Sequence, residues 1–288
     1  MEHTGDPVPE PVRSGALRFA RYALAPNRLG YCGPNDDSAL FEQAMALTGK
    51  DEGNTETAGH FVGGHYRGAD VVGGLRELAH GFEGAWPYLE LIAEANGISD
   101  PLDDRVVSAY WLGGRGLDRV TALAAGKHAT IRFRPRAGMQ WSHVHAALEP
   151  GAAPSHAFHV MVVGPWIGML RGGVTEAPLG VLNSCRVRRG RVLSVEGDTA
   201  TVATDRVVFG NGQLMLSEET TEVLAVRLGE AGQHPCGPVQ TADTVSIHWD
   251  WVCEVIDART WRAIGIAEQR ALSRANLALG AGASPQLG

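Results

Sequence analysis

Apolar positions in the first half of the chain recur three or four residues apart. Leu75, Leu78, Phe82, Trp86, Leu89 and Ile92 form one such stripe, the mark of an amphipathic helix, with a bend at Gly84 or Pro87 and an end at Asn96-Gly97. Residues 16–25 predict a short helix stopped by Pro26-Asn27. Residues 37–47 predict another, capped by Asp36 or Asp37 ahead of Leu40, Phe41 and Ala44. Asp100-Pro101 supplies a cap and a helix-opening proline before the stripe Val106, Val107, Tyr110 and Trp111. Residues 1–13 carry three prolines and no apolar period, which reads as a loose tail. Residues 48–74 are glycine-rich and polar, which reads as an insertion into the helical part, and His60 and His65 within it read as solvated.

The period changes from helical to alternating between residues 171 and 183, where a domain boundary is expected. Residues 191–195 form a strand, Glu196-Gly197-Asp198 a turn, and residues 199–204 the returning strand of a hairpin. Short strands follow at 207–209, 214–216 and 222–228. Residues 244–255 read as one long strand. Val245, Ile247, Trp249, Trp251, Cys253 and Val255 share its inner face, and Ser246, His248, Asp250 and Glu254 its outer face. His248 is thus expected to point away from the core, and Cys253 into it. A helix over 257–279 closes the chain. The expected fold is α+β, with a mainly helical N-terminal domain (14–175) followed by a small OB-like β-barrel and a C-terminal helix (183–280).

Charge and cysteine usage narrow the function classes. A net charge of -7 argues against a nucleic-acid binder, which needs a basic surface to displace phosphate counterions. Cys32, Cys185, Cys236 and Cys253 include no CxxC pair and no dense disulfide framework, so a reducing cytoplasm fits best. The first residues combine acid and proline and do not read as a secretory signal. The longest apolar run, 160–170, is broken by Gly164, Pro165 and Gly168 and is too short to cross a bilayer. A membrane partner is not expected.

Two groups of residues carry candidate chemistry. His143, His145, His156 and His159 fall within seventeen positions, and two HxH-like segments on strands converging across a loop would suit zinc, iron or nickel, although satisfied buried histidines fit them too. The second group centres on Cys185, a thiol followed by Arg186, Arg188, Arg189 and Arg191. Nearby guanidinium groups stabilise a thiolate, the form that binds soft metals, and offset the charge of an anionic iron complex. Asp250 lies two residues from His248 on the same expected strand face, as a second acceptor that would orient the imidazole.

The segment from about 184 to 275 resembles the HypC type of hydrogenase-maturation chaperone, a small β-barrel with a C-terminal helix. Cys185, Gly190, the strand 191–195, the turn Glu196-Gly197-Asp198, the strand through Val202, His248 and Ile256-Asp257 stand where that family has its motifs. The whole chain also resembles an uncharacterised bacterial group linked with nickel-iron hydrogenase gene clusters. The resemblance implies that Cys185 and His248 hold or transfer iron as a transient Fe(CN)2CO fragment. It further implies partners in the hydrogenase large-subunit precursor and in maturation proteins of the HypD type.

Three function classes follow. The first is a non-enzymatic maturation factor that uses Cys185 and His248, with Arg186, Arg189 and Asp250 beside them. The second is an enzyme with a metal ion held by the histidine group His143, His145, His156 and His159. The third is a protein-binding module without metal.

Overall fold

The computed structural model describes residues 8–34, 37–48, 68–137, 144–145, 147–148, 153–226 and 236–280. Asp36, His60, His65 and His143 lie outside the described residues.

The chain opens with α1 (Glu10–Arg28), which starts earlier than the sequence suggested and buries Val12. It also runs through Pro26 instead of stopping there. α2 (Asp37–Thr48) matches expectation, and α3 (Gly68–His80) absorbs the last seven residues assigned to the insertion. The long stripe ending at Ile92 is two helices, because Pro87 opens α4 (Trp86–Asn96) in its first turn. Gly97, with φ 65°, ends α4 in the left-handed conformation. α5 (Asp104–Leu112) is capped by Asp103, whose carboxylate accepts from the Arg105 N–H at 2.9 Å. α6 (Arg115–Asp118) and α7 (Ala122–Ala137) follow.

After a gap in the described residues come α8 (His156–Phe158), continued by a π-helical turn over His159–Val163, then α9 (Trp166–Arg171) and α10 (Glu176–Cys185). Three expectations change here. His156 and His159 sit on one helical segment and not on a strand, the first barrel strand begins at Arg188, and Cys185 ends a helix just before the barrel.

Seven strands follow among the described residues: β1 (Arg188–Glu196), β2 (Thr199–Thr204), β3 (Val207–Gly210), β4 (Gln213–Leu216), β5 (Thr220–Ala225), β6 (Thr244–His248) and β7 (Trp251–Val255). Five of them close a barrel in the order β1-β2-β5-β7-β6, while β3 and β4 pair as a separate ribbon. β1 runs antiparallel to both β2 and β6, and β5 meets β7 in parallel at Ala225 and Trp251. A Cβ at residue 190 would collide with Val202 and Ile247, so only glycine lets β1 cross the barrel there. α11 (Ala258–Gly280) completes an α+β fold. Among the described residues no helix is long and apolar enough to cross a membrane.

The expected strand over 244–255 is a hairpin, and this changes which core each residue enters. Val245, Ile247 and Val252 fill the barrel with Val192, Ala200, Val202 and Leu224. Trp249, Trp251 and Cys253 instead join the helical core built on Phe19, Tyr22, Phe82, Tyr110 and Trp111. A register shift between Ser246 and Ile247 lets Val252 and Glu254 serve different surroundings on one short strand. The helical part and the outer face of the barrel therefore share one apolar cluster. Arg18 of α1 fastens this contact, bonding Glu254 of β7 at 3.2 Å, Ser108 of α5 at 2.7 Å, and Asp104.

Candidate metal centre

His248 ends β6 on the outward face, as its strand phase predicted, but that face is covered by α1 and only 1% of the residue is exposed. Its Nδ1–H donates to the backbone carbonyl of Tyr22 at 2.6 Å. The carbonyl is available for a reason written in the sequence. In a helix it would accept from the N–H of residue 26, and Pro26 has none. With Nδ1 holding the proton, the Nε2 lone pair is left open, and this buried atom has no hydrogen-bond partner among the described residues.

His156 enters from the opposite side, on the first turn of α8. Ser155 caps that turn, its Oγ accepting from the Phe158 N–H at 3.3 Å. His156 Nε2 donates to the Cys185 carbonyl at 2.7 Å, while its Nδ1 lies 3.3 Å from the Tyr110 hydroxyl. Tyr110 gives its own proton to the Gly84 carbonyl at 2.9 Å, so the Nδ1 lone pair stays open as well.

Cys185, the last residue of α10, brings the third ligand. Asn183 anchors that helix to β3, donating to the Val207 carbonyl at 2.9 Å and accepting from the Val207 N–H at 2.7 Å. One ligand atom from each of His156, Cys185 and His248 lies within 4.8 Å of the others. Three points so placed share a position no more than about 2.8 Å from each, so closure by about 0.5 Å at sulfur and about 0.7–0.8 Å at each nitrogen reaches the bond lengths of a zinc-type site. The Trp111 ring packs against both imidazoles, with centroids 4.4 Å from His156 and 5.4 Å from His248.

Burial sets the protonation states. It lowers the pKa of His248 to about 4, against the opposing pull of the Tyr22 and Cys185 carbonyls. It drives His156 well below its usual value, helped by the neighbouring His248. Both rings are neutral and ready to coordinate. Burial also pushes the Cys185 thiol up to about 12, with Cys32 adding to the rise and the Trp249 indole opposing it. The thiol therefore stays protonated until a cation replaces the proton.

This overturns the expected role of the arginines. Arg186 is fully buried and pairs with Glu268 and with Asp205 at 2.9 Å. Arg188 pairs with Glu222 and donates to the Asn183 and Trp249 carbonyls at 2.9 and 3.1 Å. Arg189 lies over the Trp261 ring, 4.9 Å from its centroid, and donates to the Trp261 carbonyl at 3.2 Å. None of them lines the site. Asp250 is exposed in the β6–β7 turn, and the Tyr22 carbonyl orients His248 instead. The four-histidine group also divides, since His145 is exposed and His156 joins Cys185 and His248. His159 is half-buried with its Nδ1 3.4 Å from the Tyr88 hydroxyl, and desolvation lowers its pKa to about 4.

Two of the three residues, His156 and Cys185, line a cavity of about 260 Å³ together with His159, Phe82, Tyr110, Trp111, Trp166 and Trp249, and His248 lies behind them. Trp111 and Trp249 were legible from sequence only as core positions, and the Tyr22 carbonyl not at all; its one sequence signal was Pro26, four residues on in the same helix.

A family model described as a family of unknown function (DUF6390) matches residues 11–281, so it takes in both the helices and the barrel. No curated protein and no solved structure matches the chain.

Proposed function

The chain belongs to the DUF6390 family over helices and barrel alike, and from that premise we propose that it binds one transition-metal ion through His156, Cys185 and His248. The observation that carries this is the convergence, within 4.8 Å of one another, of one ring nitrogen each from two neutral histidines and the Cys185 thiol beside an apolar cavity. A thiolate with two imidazoles suits iron or zinc, and the cavity leaves further coordination positions for small ligands.

In its finer form the proposal is a nickel-iron hydrogenase maturation factor. The cargo is iron as an Fe(CN)2CO fragment, carried at the Cys185 and His248 pair, with the hydrogenase large-subunit precursor and a HypD-type protein as partners. The resemblance of the barrel segment supports this reading, and so does a donor set that fits iron. The residues fit the fragment less well in charge, because among the described residues no arginine or lysine walls the cavity. His156 favours a second reading, since a third protein ligand suits a resident ion in an enzyme with an open coordination position.

The test is metal analysis and infrared spectroscopy of the full chain purified anaerobically after co-expression with hydrogenase maturation proteins. Iron with cyanide and carbonyl bands, lost in Cys185→Ala, is the expected result for the maturation factor. A metal without those bands moves the function to the enzyme. Absence of any metal retained through the three residues overturns the proposal and leaves a protein-binding module.

A further inference from the structure

Two indole N–H groups beside the triad meet no acceptor among the described residues. Both, Trp111 Nε1 and Trp249 Nε1, are buried, and both rings line the cavity. Trp251 Nε1 is buried and unpartnered too, but its ring is not among the cavity walls. Buried polar groups are almost always paired, so two orphaned donors around one cavity point to an acceptor that arrives with a ligand.

The backbone around Trp249 is strained in a way that aims its ring. Trp249 is the first of the two residues between β6 and β7, and its φ of 58° is a left-handed conformation that a bulky side chain rarely adopts. Its N–H donates to the Ser184 carbonyl at 2.7 Å, and its carbonyl accepts from Arg188 Nη1 at 3.1 Å. These bonds tie the turn to the residue just before Cys185. The Tyr31 ring packs on the indole with centroids 4.2 Å apart. So held, the indole shares the cavity wall with Cys185, and its N–H has no partner among the described residues.

The remaining cavity wall is largely apolar and includes Pro26, Phe82, Val160 and Pro165, with no arginine, lysine, aspartate or glutamate among the described residues. An apolar neutral molecule needs no donor there. A small anion on a metal ion has its charge met by the cation, and its far end still requires hydrogen bonds.

We propose that Trp249 and Trp111 donate to the outer atom of a small anionic ligand bound at the metal position of His156, Cys185 and His248. The cavity thereby selects linear anions of the cyanide, cyanate and azide class over neutral apolar molecules of similar size. This inference rests on the metal-binding reading above.

The test uses the full chain loaded with Co2+ and titrated with azide. Visible absorption reads the metal and the azide affinity, and the azide infrared stretch reads the hydrogen bond. Trp249→Phe keeps an aromatic ring against Tyr31 and removes the donor. It is expected to weaken azide binding by about tenfold to a hundredfold, the worth of one hydrogen bond to a charged group. The stretch should shift, and the Co2+ affinity should hold within about threefold. Trp251→Phe should leave azide binding unchanged. If Trp249→Phe does not fold, Trp111→Phe carries the same comparison. An unchanged azide affinity and stretch in a donor-deleted, Co2+-loaded variant overturns the inference alone, as does an equal loss in Trp251→Phe or a loss of Co2+ itself from the Trp249 variant. Failure of the native chain to take up Co2+ overturns the metal reading and this inference together.

Discussion

Binding of one divalent ion to His156, Cys185 and His248 should release a single proton, and that proton should come from Cys185. Burial holds the thiol near 12, so at pH 7 the thiolate is disfavoured by about five decades, or about 7 kcal/mol. The metal–sulfur bond has to offset this cost, and each unit of added pH removes about 1.4 kcal/mol of it. His248, at about 4, and His156, driven well below its usual value, are already neutral at pH 6 and lose no proton on coordination. The apparent affinity should therefore rise about tenfold per pH unit from pH 6 to pH 9, with a slope of one throughout. Competition between the protein and a chelator of known pH dependence, followed by the Co2+–thiolate band, gives the slope. An indicator dye in weak buffer counts the proton directly. In Cys185→Ala the slope should fall to zero together with the thiolate band. A slope of two or three would mean that an imidazole is protonated in the free protein. A slope that survives the loss of Cys185 would mean that another group supplies the proton. Either result refutes the reasoning.

Alanine at His156, Cys185 or His248 should each abolish tightly held metal, whereas alanine at exposed His145 or Asp250 should not, as read by metal content after a chelator challenge. Acid should destabilise the metal-free protein through its desolvated histidines. Burial lowers both His159 and His248 from 6.5 to about 4, so as pH falls the unfolded chain takes up protons before the folded one does. The stability they confer is complete above about pH 6.5 and is lost on the way down to pH 4, at about 3 kcal/mol per residue. Urea midpoints that stay level over that interval would contradict this. Arg186→Met should cost about 3–5 kcal/mol in urea unfolding by leaving Glu268 buried without its partner, while the Co2+ affinity of the folded protein stays unchanged. A selective loss of metal in that variant would restore Arg186 to the site.

Periodicity carried much of the fold. The helical first half, the β1–β2 hairpin, the barrel and the terminal helix were all legible, because apolar spacing reports which face of an element is buried. What periodicity cannot report is the identity of the covering partner. Ser246, His248 and Glu254 alternate as an outward strand face should, and the same pattern serves a face in water or a face under a helix. Here α1 lies on it, with the Tyr22 hydroxyl 2.6 Å from Ser246 Oγ and bonded to Glu254 at 2.7 Å. The hairpin at Trp249-Asp250 was missed for a related reason. Neither residue is glycine or asparagine, and alternation across a two-residue turn looks continuous when bulky apolar residues flank it. The arginines misled for a third reason. A run of cations beside a thiol suggests charge stabilisation, but the acids that neutralise it, Asp205, Glu222 and Glu268, lie far along the chain.

The pairing of Cys185 with His248 was legible as a motif, and the third ligand only as one histidine among four. The site also depends on a contact that neither half of the chain displays alone. Pro26 reads as a helix stop, yet α1 continues through it to Arg28, leaving the Tyr22 carbonyl without its usual helical donor. More than two hundred positions later, the imidazole of His248 fills that vacancy at 2.6 Å. The bond satisfies a buried carbonyl, fixes the histidine tautomer and leaves Nε2 open on a ring grouped with Cys185 and His156. The local cost of proline in a helix and the unfilled nitrogen of a buried histidine thus have one explanation: α1 supplies the outer support of a candidate metal ligand carried by the barrel. On this account the helical half is part of the site, and a barrel separated from it would keep Cys185 and lose the orientation of His248.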